Sequence, residues 1–123
     1  MKLLNDFFHI DAVVSGEYPT FDLTLNGEHE IFKAHFPGIP IVPGVCQVQM
    51  LLEILGEWQH RSMSLQHVKN IKYLSVMTPM ETPQMRVLVQ RLTPTDDGLA
   101  VLASFQWDGK VYTKLSLTAK TDR

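Results

Sequence analysis

Between residues 21 and 26 the chain alternates strictly. Phe21, Leu23 and Leu25 fall on one side and Asp22, Thr24 and Asn26 on the other, so FDLTLN predicts a half-buried strand closed by Asn26-Gly27. The pattern then breaks. Pro37, Pro40 and Pro43, with Gly38 and Gly44, exclude regular structure over 36–43, because proline fixes φ and pushes the residue before it towards extended backbone. The stretch after Gly44, VCQVQMLLEILGEWQ, has no proline, and a helix is expected over 44–59. Wound as a helix it is apolar almost all round, the mark of a buried helix, except for one narrow seam of Gln49, Glu53 and Glu57.

The remainder reads as strands over Val68–Met77, Gln84–Leu92, Leu99–Trp107 and Lys110–Thr118. Leu99, Val101, Ala103, Phe105 and Trp107 share a face, as do Val111, Leu115 and Leu117. Only Asp108-Gly109 separates the last two strands, the pair a type I′ turn prefers, so a hairpin is expected there. One apolar helix and about five long strands imply an α+β domain spanning 1–123, with an antiparallel sheet curled around the helix. Such a sheet covers the helix on one side only, and its open edge suits a dimer.

Composition narrows the function classes. At 123 residues, 45% hydrophobic and 20% charged, the chain suits one domain with a real core. A net charge of −2 and no basic block argue against nucleic-acid binding. A single cysteine, Cys46, excludes an internal disulfide and a cysteine-rich zinc site. No apolar run approaches the ~18 residues of a membrane span, and Asp6 and Asp11 interrupt what an export signal would need, so a cytoplasmic protein without membrane insertion is expected. His9, His29, His60 and His67 show no metal-ligand spacing; neither a metal nor a cofactor is expected.

The chemistry concentrates in His35-Phe-Pro-Gly-Ile-Pro-Ile-Val-Pro-Gly44-Val45. This places a histidine on a proline-stiffened loop running into a helix N-terminus. The amides of Gly44, Val45 and Cys46 are expected to lack helical partners and to sit in the positive field of the helix dipole. A carbonyl gaining negative charge during reaction is stabilised at such a spot, and Gly44 lets it approach the backbone. Cys46, two residues past Gly44, sits where a thiolate is favoured, but a small buried side chain is the expected role.

The string HFPGIPIVPGV resembles the signature of the 3-hydroxyacyl-[acyl-carrier-protein] dehydratases, hotdog-fold enzymes of fatty acid synthesis. The resemblance extends upstream through FDLTLNGEHEIFKAHFPG and downstream through the helix and strands. It implies a long central helix wrapped by a curled antiparallel sheet, with no cofactor. It implies that His35 removes a proton from C2 of a 3-hydroxyacyl thioester, and that the Gly44 amide binds the thioester carbonyl. Val45, Phe36 and Pro43 belong to the same substrate-binding stretch. The substrate is an acyl-carrier-protein or CoA thioester. The site forms between two chains of a dimer, or of a trimer of dimers, with a helix carboxylate of the second chain acting as acid.

Two departures follow from the same comparison. Fourteen residues after His35 stands Gln49, where the family carries a carboxylate, and Glu53 stands one turn further on, where the family often carries Gln. An amide donates a hydrogen bond but cannot give a hydroxide its proton. The helical turn of ~5.4 Å keeps Glu53 from replacing it automatically, although a side chain leaning towards the helix N-terminus recovers part of that distance. Three functions stay open: a dehydratase using Gln49 or Glu53, a non-catalytic or half-catalytic subunit paired with a homologous hotdog chain that brings the carboxylate, and a thioesterase in which Glu53 directs water. The second departure is at SVMTPMETPQM, which lacks the family's basic residues and Pro-Gly-Asp turn, weakening attraction to an acidic carrier. Lys69, Lys72, Arg86 and Arg91 remain as scattered positive charges.

Overall fold

The computed structural model describes residues 2–35, 38 and 40–122, His35 by its backbone alone. Along the chain run β1 (Phe8–Val14), β2 (Thr20–Leu25), α1 (Glu30–His35), α2 (Gly44–Gln59), β3 (Met63–Tyr73), β4 (Gln84–Pro94), β5 (Gly98–Trp107) and β6 (Lys110–Thr121). The strands form one antiparallel sheet in the order β1-β2-β4-β5-β6-β3. This is the hotdog architecture implied by the resemblance.

The sheet's inner face follows from the period of two. Phe21, Leu23 and Leu25 on β2, Met85, Val87 and Val89 on β4, Val101, Ala103 and Phe105 on β5, and Leu115, Leu117 and Ala119 on β6 are all buried. They close on Met50, Leu51, Ile54 and Leu55 of α2. The predicted helix bounds match α2, but its apolar girdle is incomplete, since Val45 and Trp58 are exposed. The β5–β6 hairpin turns at Asp108 and Gly109, both at positive φ (50° and 79°), as a type I′ turn requires.

Three elements depart from the expectation. β1 was not expected. It is an edge strand in which only Phe8 is buried and Ile10 half-buried, and a register shift between Ile10 and Ala12 breaks what alternation remains. β3 occupies Met63–Tyr73 rather than Val68–Met77. It is exposed along most of its length with two register shifts against β6, so no inward-facing rhythm marks its ends. Finally, α1 was not expected; it ends at His35, so the histidine backbone closes a short helix rather than sitting on a loop. This helix is tied down by Phe32, whose ring stacks on Phe7 at 4.8 Å.

Candidate active site

The start of α2 is fixed by its neighbours. Pro43 is the N-cap, in extended conformation (φ −60°, ψ 149°), and no side chain caps the helix. The Pro43 carbonyl accepts from the Cys46 and Gln47 amides at 3.0 and 3.2 Å. The expectation of three open amides is thereby corrected: Cys46 is partnered, and Gly44 and Val45 head the helix. The Val42 amide donates to Met77 at 2.8 Å, tying the proline-rich segment to the β3–β4 connection. Gln47 is buried: its amide donates to the Val42 carbonyl at 3.3 Å and its oxygen accepts from the buried Thr113 hydroxyl of β6. These bonds hold the helix start rigidly against the sheet, and nothing in the apolar pattern announced Gln47 as the residue responsible.

Cys46 is buried, and burial pushes its thiol above the usual value, so it behaves as a neutral core side chain and not as a thiolate. The residue that sequence reasoning missed is Tyr73, the last of β3. A Cβ built on Gly44 would stand 2.5 Å from the Tyr73 hydroxyl oxygen, so the absent side chain at Gly44 is what admits the phenol. Partial burial raises the Tyr73 phenol above its ordinary value and keeps it a donor at neutral pH. A tyrosine at a strand end carries no sequence signal of its own; only the register of β3 brings it to the helix.

The polar seam of α2 lies elsewhere. Gln49 donates to Glu53 at 2.8 Å. Glu53 also accepts from the Leu3 amide at 2.9 Å to each oxygen and from the Leu4 amide at 2.7 Å. Its carboxylate therefore pins the N-terminal segment to the helix. Gln49, Glu53 and Glu57 line a cavity of about 380 Å³ with Lys2, His60 and Met63. On a helix of 3.6 residues per turn, Gln49 and Glu53 are rotated roughly 140° and 180° from Gly44. Within one chain the seam and the helix start thus face apart. The His35 side chain and all of Phe36 lie outside the described residues.

Of the basic residues considered for a carrier, Arg86 is engaged with Asp22 at 2.7 Å and sits over the Trp107 ring at 5.7 Å. Glu81, in the stretch that replaces the Pro-Gly-Asp turn, accepts from Lys110 at 3.2 Å. Among the described residues no group of three metal-ligating side chains gathers, and no helix is long and apolar enough to cross a membrane.

Comparison with known proteins bears on this geometry. Residues 12–105 match the model of the ApeI-like family, described as ApeI dehydratase. The chain is 23% identical over 90 residues to the 3-hydroxyacyl-[acyl-carrier-protein] dehydratase FabZ of Ligilactobacillus salivarius, covering 68% of this chain and 64% of that one. It is 27% identical over 93 residues to the FabZ of Latilactobacillus sakei, covering 68% and 66%. The chain thus spans just under two thirds of these relatives. Among solved structures, the dehydratase heterocomplex ApeI:P from Xenorhabdus doucetiae aligns with a TM-score of 0.63 at 14% identity, over 83% of this chain and 86% of that one.

Proposed function

Because the chain belongs to the ApeI-like dehydratase family, we propose that it eliminates water from 3-hydroxyacyl thioesters, carried on acyl carrier protein or CoA, in acyl-chain biosynthesis in the cytoplasm. The observation that carries this reading is the helix start: the HFPGIPIVPG string leads to an α2 N-terminus with Pro43 as N-cap, no capping side chain, and Gly44 at its head. In this reading His35 takes the C2 proton. The electron pair of that C–H bond moves into the C1–C2 bond, and the carbonyl oxygen takes up charge beside the Gly44 amide. Collapse of the enolate expels hydroxide, which leaves as water once it receives a proton. Val45, Pro43 and Phe36 flank the thioester. No metal or cofactor enters the scheme.

The proton donor separates two versions. Gln49 cannot supply it, and the Glu53 oxygens are taken up by the Leu3 and Leu4 amides and by Gln49. This favours a second reading, in which the chain works with a homologous hotdog chain whose helix brings a carboxylate to His35 and Gly44. The relation to a dehydratase heterocomplex supports such pairing. The test is hydration of a crotonyl thioester and dehydration of the 3-hydroxybutyryl thioester by the full chain. Turnover that falls at least ~10²-fold in a folded His35→Ala variant is expected for general-base chemistry. Unchanged turnover in that variant removes His35 from the mechanism. Thioester hydrolysis without dehydration defeats the proposal in favour of a thioesterase.

A further inference from the structure

The phenol at the end of β3 stands beside the first amide of α2. A Cβ on Gly44 would lie 2.5 Å from the Tyr73 oxygen and 2.7 Å from its Cζ. In any residue the amide nitrogen is about 2.5 Å from the Cβ position. The Tyr73 hydroxyl is therefore no more than about 5 Å from the Gly44 nitrogen. Two donors that close can share one acceptor, since each hydrogen bond spans about 2.7–3.0 Å.

The two donors also belong to one frame. Tyr73 pairs with Thr113 across the β3–β6 ladder, and the Thr113 hydroxyl is bonded to Gln47 in the first turns of α2. The next two amides, of Leu74 and Ser75, both donate to the Tyr112 carbonyl, at 2.8 and 3.1 Å. On the helix side, Val42 is held by Met77 and Gln47 by Val42. Among the described residues the Tyr73 hydroxyl has no hydrogen-bond partner, and the residue is half exposed, 53%. An unengaged donor on a backbone tied to the helix start needs little reorganisation when charge develops there, which is where such groups act most strongly.

We propose that Tyr73 is the second donor to the thioester carbonyl, completing with the Gly44 amide a two-donor pocket for the enolate oxygen. The proposal rests on the dehydratase reading and adds a residue to it. It also gives Gly44 a double role, as donor and as the gap that admits the phenol.

The informative substitution is Tyr73→Phe, which keeps the ring against Gly44 and removes one oxygen. With a crotonyl-pantetheine thioester, kcat is expected to fall about 100-fold, the scale of one lost oxyanion donor. KM and the melting temperature should change little. A carbonyl-13C-labelled crotonyl thioester bound to the protein supplies a readout that packing alone does not move: its C=O stretch should shift to higher frequency in Tyr73→Phe. Equal turnover and an unmoved band overturn the role of Tyr73 while leaving the dehydratase reading intact. If the parent chain alone does not turn the substrate over, the band still decides. An upward shift supports the donor, and an unmoved or absent bound band defeats it. Lack of turnover both alone and with a carboxylate-bearing homologue counts instead against the dehydratase reading.

Discussion

Glu53, a candidate acid from the sequence, also has a structural task. Its oxygens accept from the amides of Leu3 and Leu4, two buried residues that precede β1. Removing the carboxylate leaves those amides without partners, which costs about 1–3 kcal/mol per unsatisfied group. Glu53→Ala is therefore expected to lower the urea midpoint and to speed proteolysis near the N-terminus. A variant as stable as the parent would remove this anchoring role. Gln49 invites the opposite substitution. Its amide donates to Glu53 at 2.8 Å, so Gln49→Glu would set two carboxyl groups side by side. Two adjacent carboxylates cannot both ionise easily, and one is held protonated to higher pH, as a general acid requires. Turnover should rise in Gln49→Glu if the missing proton is what limits the parent. No gain would place the limit elsewhere. Gly44→Ala tests the helix start: its methyl meets the Tyr73 hydroxyl, so the ring must swing away. Its loss of kcat should be strongly non-additive with Tyr73→Phe, since both remove the same contact.

At the scale of elements, legibility tracked burial. α2 and the β5–β6 hairpin were readable because their faces are consistently buried and the Asp108-Gly109 pair selects its turn. β1 and β3 were missed or misplaced because they are the two edges of the sheet, where exposed positions relax the alternation and register shifts disrupt it. The candidate site is legible only as far as a local string can specify it. His35, Pro43 and Gly44 fall within one short string of the sequence, whereas Tyr73 and Thr113 join through strand register, and Glu53 joins Leu3 across 50 positions. The outer edge also carries a pH dependence. Asp122 follows β6, and the hydroxyls of Ser64 and Ser62 on and before β3 hold its carboxyl below its usual value of 3.8. A depressed carboxylate contributes stability above its unfolded value and loses it as pH falls through the folded one. Amide protection factors around Ser62, Ser64 and Asp122 should therefore hold near neutrality and drop below about pH 4. Unchanged protection in acid would show that these bonds do not tie β3 to the chain end.

The whole molecule poses the question of assembly, and the proposed reaction predicts more than one chain per site. Gln49 and Glu53 are rotated roughly 140° and 180° around α2 from Gly44, so a helix seam cannot serve the helix start of its own chain. In the proposed dehydratase reading a second chain supplies it, and β3 is the surface where such a chain is expected to pair. As an edge strand it presents unpaired backbone donors and acceptors. Leu65 and Val68 on it, and Leu74 and Val76 just beyond, are exposed large apolar residues. Antiparallel pairing of β3 with its counterpart in a second hotdog chain would cover these and join two six-stranded sheets into one. Light scattering at micromolar concentration should give at least twice the 14.0 kDa chain mass. Val68→Lys should lower that mass, because a charge on an edge strand resists pairing. It should lower turnover in parallel if the site is shared between two chains. A parent that is monomeric at that concentration yet active would break the link between assembly and site. A parent that is monomeric and inactive, but active once mixed with a carboxylate-bearing homologue, would identify the heteromer as the working form.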